Sequence, residues 1–407
     1  MKILHTADWH LGKNLETIPR IEEQKTVLEE ICEIADREAV HAVLVAGDLF
    51  DTFNPSSEAE ELLYKTLKRL SKNGRRAVIA IAGNHDSPER IEAPDPLARE
   101  CGIIFAGYPN TRISPFCLES GLEVLRSDEG FIELKIPGCD QPLRLLLTPY
   151  ANEYRLKKYL GTQDSEAALR QHLQNHWQRL ADQYCDNQGI NILVAHLFFA
   201  RENEPLQPEP EEEKPILHVG GAQAIFSSNV PKAIDYVALG HLHRHQTVDE
   251  QPCPILYSGS PISYSFSEAN QQKGVVILSA LKGRKLQIEK VALSKGRPLL
   301  RQRFEHVKEA AAWLKENHDA IVELTLAMEE YLSINEKKRL LEINPDIFII
   351  PELKGKLLEE LNEGKNIDLS QSTETLFKKY FEFKKGLPPD EALLDLFKEV
   401  IAEEPEL

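Results

Sequence analysis

The chain has 407 residues, is 42% hydrophobic and 28% charged, and carries a net charge of −17. That composition is globular and large enough for two or three domains, and it excludes a disordered, fibrous or simple nucleic-acid-coating protein. No basic segment leads into an apolar stretch at the N-terminus and no apolar run approaches membrane length, so a cytoplasmic protein without a membrane span is expected.

Cys32, Cys101, Cys117, Cys139, Cys185 and Cys253 form no C-x-x-C pair. Neither a zinc ribbon nor a secreted disulfide framework is expected, and idle thiols are the default.

In chain order, the first half alternates strand and helix, which predicts an α/β fold. Ile3-Leu4 is a short strand, and residues 20–38 form an amphipathic helix with Val27, Leu28, Ile31, Ile34 and Ala35 on one face. "AVLVAGD" (42–48) is a buried strand, 57–71 a helix, and "AVIAIAGNHD" (77–86) a buried strand ending in a polar turn. Apolar runs follow at 143–148, 190–195, 236–239, 254–257 and 274–278. The stretch 201–215, "RENEPLQPEPEEEKP", predicts a solvated loop.

The first domain is expected to cover 1–295. A small α+β domain is expected at 296–352, from the runs "AIVELTL" and "DIFIIPEL" and a helix at 305–317. A polar linker at 353–371 then leads to a helix pair at 372–404. Residues 301–407 carry 15 Lys and Arg against 24 Asp and Glu.

The polar ends of the apolar runs carry the chemistry. They are Asp8 and His10 in "ADWH", Asp48 and Asp51 in "GDLFD", Asn84, His85 and Asp86 in "GNHD", His196 in "VAH", and His241 and His243 in "GHLH". Each cluster alone reads as a turn or a solvated loop. Five in this order, all at strand ends, point to one edge of one sheet, where open α/β sheets hold their ligands.

Imidazole and carboxylate suit Mn²⁺, Fe or Zn²⁺, and the lack of thiolates argues against structural zinc. Seven donors are too many for one ion and fit two, about 3.5–4 Å apart, sharing a carboxylate. Asp48 is the natural bridge, with Asp8, His10 and His243 on one side and Asn84, His196 and His241 on the other. The residual positive charge of such a centre attracts a phosphodiester, and a hydroxide activated by both ions is the expected nucleophile. His85, not needed as a ligand, is placed to protonate the leaving oxygen. Asp51 and Asp86 are expected to orient His85 or a ligand histidine from behind.

These motifs resemble the calcineurin-like metallophosphoesterase superfamily, whose pattern is D-x-H, G-D, G-N-H-D, H and G-H-x-H. "ILHTADWHLGKN", "VLVAGDLFDTFNPSS", "AGNHDS", "DYVALGHLHRHQ" and "YSGSPISYSFSE" (257–268) resemble more closely the SbcD family of bacterial nuclease subunits, relatives of the Mre-type nucleases. The resemblance covers residues 1–295. It implies a β-sandwich flanked by helices, then the small α+β cap domain and the C-terminal helix pair. It further implies an Mn²⁺-dependent DNA endo- and exonuclease in end processing, hairpin cleavage, repair and recombination. Its partner would be SbcC, an ABC-type ATPase with a long coiled coil, in a heterotetramer of two plus two. No G-x-x-x-x-G-K-[ST] occurs in the chain, so any ATP dependence is expected from the partner.

A homodimer through the nuclease domain is also implied. Leu62, Leu63, Leu67, Leu70, Ile91 and Leu97 are candidate surfaces for it, although core is the preferred reading for them. In the C-terminal pair, Leu376, Phe377, Tyr380 and Phe381 share one apolar face, and Leu393, Leu394, Phe397, Val400 and Ile401 share another. Docking on the partner's coiled coil is expected for these faces. The competing function is a metallophosphoesterase of small phosphodiesters or cyclic nucleotides, using the same ions and His85. The residues beyond 295 are more than a small pocket needs.

Overall fold

The structure, a computed structural model, describes residues 1–157, 165–202, 224–280, 286–328, 332–353, 372–385 and 388–403. It comprises two compact units, Met1–Arg297 and Pro298–Leu407.

The first unit begins with β1 (Lys2–Thr6), α1 (Ile21–Arg37), β2 (Ala42–Ala46), α2 (Ser57–Ser71) and β3 (Ala77–Ile81). The short helices α3 (Pro88–Glu92) and α4 (Asp95–Arg99) lead to β4 (Ile103–Ala106). These four strands are parallel neighbours, as helical crossovers require. The runs "AVLVA" and "AVIAI" are buried along their whole length, because the sheet is covered on both faces. On one face lie α1 and α2, with Val27, Leu28, Ile31, Leu63 and Leu67 packed against Leu4, Val43, Val45 and Val78. Alternate residues, Ile3, Leu44 and Ile79, face the other way into a second core.

That second core is shared with a second sheet. Its strands are β5 (Glu123–Asp128), β6 (Phe131–Lys135), β7 (Leu143–Thr148) and β8 (Ile190–His196), with the helices α5 (Glu153–Leu156) and α6 (Ser165–Tyr184) between β7 and β8. A short pair, β9 (Phe199–Ala200) and β10 (Ile225–Phe226), precedes β11 (Tyr236–Gly240), β12 (Gln246–Asp249) and β13 (Ile255–Tyr257). The sheet order is β12-β13-β11-β8-β7-β6-β5. Ile132, Leu145, Val194 and Ala238 point from it into the inter-sheet core. Its outer face is covered by α6, where Leu169, Leu173, Trp177 and Leu180 are buried one helical turn apart. The last strands, β14 (Gly274–Ser279) and β15 (Gln287–Ala292), return to the first sheet and add antiparallel beside β1. The result is a β-sandwich flanked by helices.

In the second unit, β16 (Leu299–Phe304), α7 (Val307–Glu316), β17 (Ile321–Met328), α8 (Ile334–Ile343) and β18 (Ile347–Leu353) alternate. The three strands are parallel, with Ala310, Leu314, Val322, Leu324 and Leu340 as their core. Then come α9 (Thr373–Lys385) and α10 (Glu391–Glu403). Phe377 of α9 stacks on Phe397 of α10 with ring centroids 3.8 Å apart. Most of the 201–215 loop and of the 353–371 stretch, and the side chains of Val400 and Ile401, lie outside the described residues.

Leu63, Leu67, Leu70 and Ile91 are core residues, whereas Leu97 is 76% exposed. Among the described residues no helix is long and apolar enough to cross a membrane.

Candidate metal centre

The parallel register sets the site. Strands β1, β2 and β3 run the same way, and so do β8 and β11, where Gly240 pairs with His196. Their carboxyl ends therefore carry Asp8, Asp48, Asn84, His196 and His241 to one junction between the two sheets. The sheets are tied together there. His196 Nδ1 lies 2.8 Å from the carbonyl oxygen of Ala46, and the His241 amide donates to Asp8 Oδ1 at 2.9 Å.

The backbone at the junction is unusual. Asp8, His10, Asp48 and His241 have φ of 55°, 42°, 47° and 113°, a region costly for residues other than glycine. Glycines make the close approaches. At Gly47, φ is 93° and a Cβ would sit 2.2 Å from His196 Nδ1; at Gly83 it would sit 2.1 Å from Asp48 Oδ1.

All seven expected ligands and His85 are buried and converge. Asp48 stands at the centre. Its Oδ2 lies 3.4 Å from His10 Nε2 and 3.3 Å from His196 Nε2, while its Oδ1 accepts the His85 amide at 2.9 Å. On one side, His10 Nε2 and His243 Nε2 face each other at 3.0 Å. On the other, Asn84 Oδ1 lies 2.8 Å from His196 Nε2 and 3.0 Å from His241 Nδ1. Asp8 Oδ1 is 3.7 Å from His196 Nδ1.

Among the described residues, two groups have donor atoms within 4.8 Å of one another: Asp8, Asp48 and His196, and His10, Asp51 and His85. Asp8 Oδ2, His10 Nδ1, Asn84 Nδ2 and His85 Nε2 are buried with no hydrogen-bond partner. Buried polar atoms are normally paired, so the lone pairs of the Asp8 oxygen and the imidazole nitrogens among them fit divalent cations, toward which Asn84 could turn only its Oδ1.

Charge leads to the same conclusion. Burial, with the Asp48 charge beside it, pushes the Asp8 carboxyl up to about 7. Burial also pulls His10 down to about 3, against Asp48, leaving a neutral imidazole. Burial would lower His196 too, but Asp48 outweighs it and raises the ring to about 9. A cluster that binds a proton this firmly would bind a cation in its place.

His85, like His196, is anchored at Nδ1 by a main-chain carbonyl. Its Nδ1 lies 2.9 Å from the Asp51 carbonyl oxygen, which can only accept, so Nδ1 carries the proton of that bond. Its ring centroid is 4.8 Å from that of His10. Asp51 also approaches His10 Nδ1 at 3.7 Å and Lys13 Nζ at 3.0 Å. Burial would raise the Asp51 carboxyl, but His10 and Lys13 hold it down at about 2. Asp86 touches neither His85 nor a ligand imidazole through its carboxylate. It accepts the amides of Leu49, Phe50 and Gly83 at 3.0, 2.9 and 2.8 Å, fastening the "GDLFD" turn to the "GNHD" turn.

Sequence reasoning missed two supporting residues. Arg155, 4% exposed, donates to the carbonyls of Gly83, Asn84 and Asp86 at 2.7, 3.4 and 2.8 Å. Glu268 lies 3.3 Å from His243 Nδ1. A lone Arg after a strand carries no spacing signal. Glu268 ends the "YSGSPISYSFSE" stretch, with nothing in the sequence to say what it faces.

The calcineurin-like phosphoesterase family model matches residues 1–245. The SbcD component of nuclease SbcCD from Bacillus subtilis (strain 168) is 36% identical over 410 residues, covering 98% of this chain and 97% of that one. The proteins of the same name from Rhodobacter capsulatus and Staphylococcus epidermidis are 34% and 30% identical, over 70% and 68% of this chain and 67% and 66% of theirs. The chain belongs to the calcineurin-like phosphoesterase family, in its SbcD nuclease branch. It is a metal-dependent phosphodiesterase by that membership.

Arg155→Met should lower stability by about 2–4 kcal/mol, since it leaves three carbonyls of the "GNHD" turn without their charged donor. Urea unfolding checks it, with Arg155→Lys expected to lose less.

Proposed function

We propose that the protein is the nuclease component of an SbcCD-type complex, hydrolysing DNA phosphodiester bonds at a centre of two divalent ions, Mn²⁺ foremost. One observation carries the reading: a single carboxylate oxygen, Asp48 Oδ2, lies between His10 Nε2 and His196 Nε2 at 3.4 and 3.3 Å. Asp8, His10, Asp48 and His243 would hold one ion, and Asp48, Asn84, His196 and His241 the other. When bound, the ions supply Lewis-acid polarisation of the phosphoryl group and activation of a water.

The chain's own residues do the rest. Asp8 and Asp48 return only two negative charges to the pair of cations, because Asn84 and the imidazoles bind as neutral ligands. The net positive field favours an anionic backbone and the charge that grows on it during reaction. His85, anchored at Nδ1 by the Asp51 carbonyl, presents Nε2 to the centre, and in its protonated form would donate that proton to the leaving oxygen. Asp51 orients His85 through its main chain, and its carboxylate sets a negative charge 3.7 Å from His10 Nδ1. Asp86 and Arg155 hold the turns that carry Asp48 and Asn84.

SbcC, the ABC-type ATPase, is the partner in this reading, in a complex of two plus two, and a role in DNA end processing implies a cytoplasmic protein. The small α+β unit at 296–352 would contribute to DNA binding. The helix pair would bind the coiled coil as helices in a groove. Leu376, Phe377, Phe381, Leu393, Leu394 and Phe397 are only half-buried, and Tyr380 and Leu396 are 60% and 55% exposed. A homodimer through the nuclease unit completes the reading, with Leu97 as the apolar side chain available to it.

Chelator-stripped protein should cleave single-stranded DNA when Mn²⁺ is returned, and should do so better than it hydrolyses a small phosphodiester. Mg²⁺ should serve poorly, because it prefers oxygen ligands and the centre offers four imidazoles. Equal or better activity in Mg²⁺ alone would overturn the metal assignment. His85→Ala should lower the cleavage rate by about 10²–10⁴-fold while bound Mn²⁺, measured by atomic absorption, stays at the wild-type level. Deleting residues 370–407 should abolish co-purification with SbcC and leave Mn²⁺-dependent cleavage by the isolated chain largely intact.

A further inference from the structure

The stretch 257–268, "YSGSPISYSFSE", supplies no metal ligand, yet it wraps the half of the centre formed by His10 and His243. The Tyr264 ring stands edge-on to both imidazoles, 5.4 Å from His10 and 5.7 Å from His243. Its hydroxyl donates to the Trp9 carbonyl and receives Gln24 Nε2 at 3.1 Å. The same Gln24 amide donates to the His10 carbonyl at 2.8 Å. The His10 main chain is thus held from this side.

His243 is held more completely. Glu268, 4% exposed, places Oε1 3.3 Å from His243 Nδ1 and accepts the Tyr264 amide on that same oxygen at 3.0 Å. Its other oxygen, Oε2, is taken by Ser260 Oγ at 3.3 Å and by Lys273 Nζ. Lys273 Nζ also donates to Ser260 Oγ and to the His243 carbonyl, each at 3.0 Å. With donors on both oxygens the carboxylate is fixed in rotation.

We propose that Glu268, locked by Lys273, is the positioning residue of His243, holding its ring in the tautomer whose Nε2 lone pair faces His10 across the metal centre. A carboxylate at this contact only accepts, so the neutral imidazole must carry its proton on Nδ1 and its lone pair on Nε2. Partners of this kind raise a ligand's basicity and fix its orientation, and their loss weakens metal binding by about 10–100-fold. The Lys273 contact to the His243 carbonyl fixes the main chain as well, so ring and backbone are held by one pair of residues. The other half of the centre has a different arrangement. There, His196 is oriented by the main-chain carbonyl of Ala46 at 2.8 Å, which no substitution of a side chain removes. The orientation of His243, by contrast, depends on a replaceable charged group.

The inference rests on the reading that His243 holds an ion, and the experiment separates the two. The full chain, stripped with chelator, is titrated with Mn²⁺ by calorimetry, and the histidine tautomers of the stripped protein are read from long-range ¹⁵N–¹H NMR. Wild type should bind two ions with His243 protonated on Nδ1. Glu268→Gln should weaken one ion by about 10–100-fold, leave the other unchanged, and populate the second tautomer of His243. Lys273→Met, which leaves the carboxylate in place but free to rotate, should shift the same ion by less, and Lys273→Arg should restore most of it. If Glu268→Gln does not fold, the Lys273 variants give the same reading of the one affinity. Two unchanged affinities with the wild-type tautomer would overturn the proposal. Equal weakening of both ions together with a lower Tm would overturn it too, making the pair a purely structural tie. A wild type that binds fewer than two ions would instead bring down the two-ion reading, and this inference with it.

Discussion

Two carboxylates, Asp8 and Asp48, are fully buried in one cluster of imidazoles, and the rest of the structure answers to their charge. Unpaired buried charges are costly, and like charges at close range are more so. The protein surrounds them with the uncharged Asn84 and a His10 ring that burial keeps neutral, and with His196 and His243, whose rings are tied to the Ala46 carbonyl and the Glu268 carboxylate. Such a cluster is stable only with cations or protons among its lone pairs. That is why the Asp8 carboxyl and the His196 ring are both pushed towards holding a proton at neutral pH.

Placing those groups together determines the architecture around them. The candidate donors come from five strand ends in two sheets, so within each sheet the strands that carry them must run parallel and keep their register. Gly240 opposite His196 and the Ala46 carbonyl at His196 Nδ1 are that register made visible. The inter-sheet core of Ile3, Leu44, Ile79, Leu145 and Val194 fixes the spacing of the layers, and close-packed cores resist small displacements. A shift of a strand by one residue would turn Leu44 outward and carry Asp48 away from His10 and His196.

The convergence of the candidate donors was legible because each follows an uninterrupted apolar run, and such runs survive in sequence as strands buried on both faces. The elements that escaped lack that signature. In α6, Leu169, Leu173, Trp177 and Leu180 are separated by Gln, His, Asn and Arg, so the buried face is one narrow stripe. Strand β5 has only Val124 buried and presents its other side chains partly to solvent. Strand direction in the second unit was not visible either. The alternating runs announced β17 and β18, but whether they pair parallel depends on the helices between them. Arg155 and Glu268 were invisible for a different reason. They act through contacts 69–72 and 25 residues away in sequence, and a residue serving a distant backbone or ring leaves no local period. Leu63, Leu67, Leu70 and Ile91 went the other way: helical spacing said core, and core is where they lie.

The left-handed φ angles at Asp8, His10, Asp48 and His241 follow from the same crowding of donors. Each costs of order 1–3 kcal/mol, so the isolated turns would not hold these conformations. The fold must impose them, and it does so through short contacts between the turns. Asp8 and His10 donate their amides to the carbonyls of Gly47 and Asp48 at 3.0 Å each. Asp86 gathers three amides of the neighbouring turns, and Asp8 Oδ1 takes the amide of His241. Every strained residue of the junction is thus stitched to another of its turns rather than to a remote part of the scaffold. The centre is cooperative in consequence: loosening one turn relaxes its neighbour's backbone as well as its own donor. A site built this way has its donors in place before any ion or substrate arrives, so binding a cation would need little rearrangement of the turns that carry them.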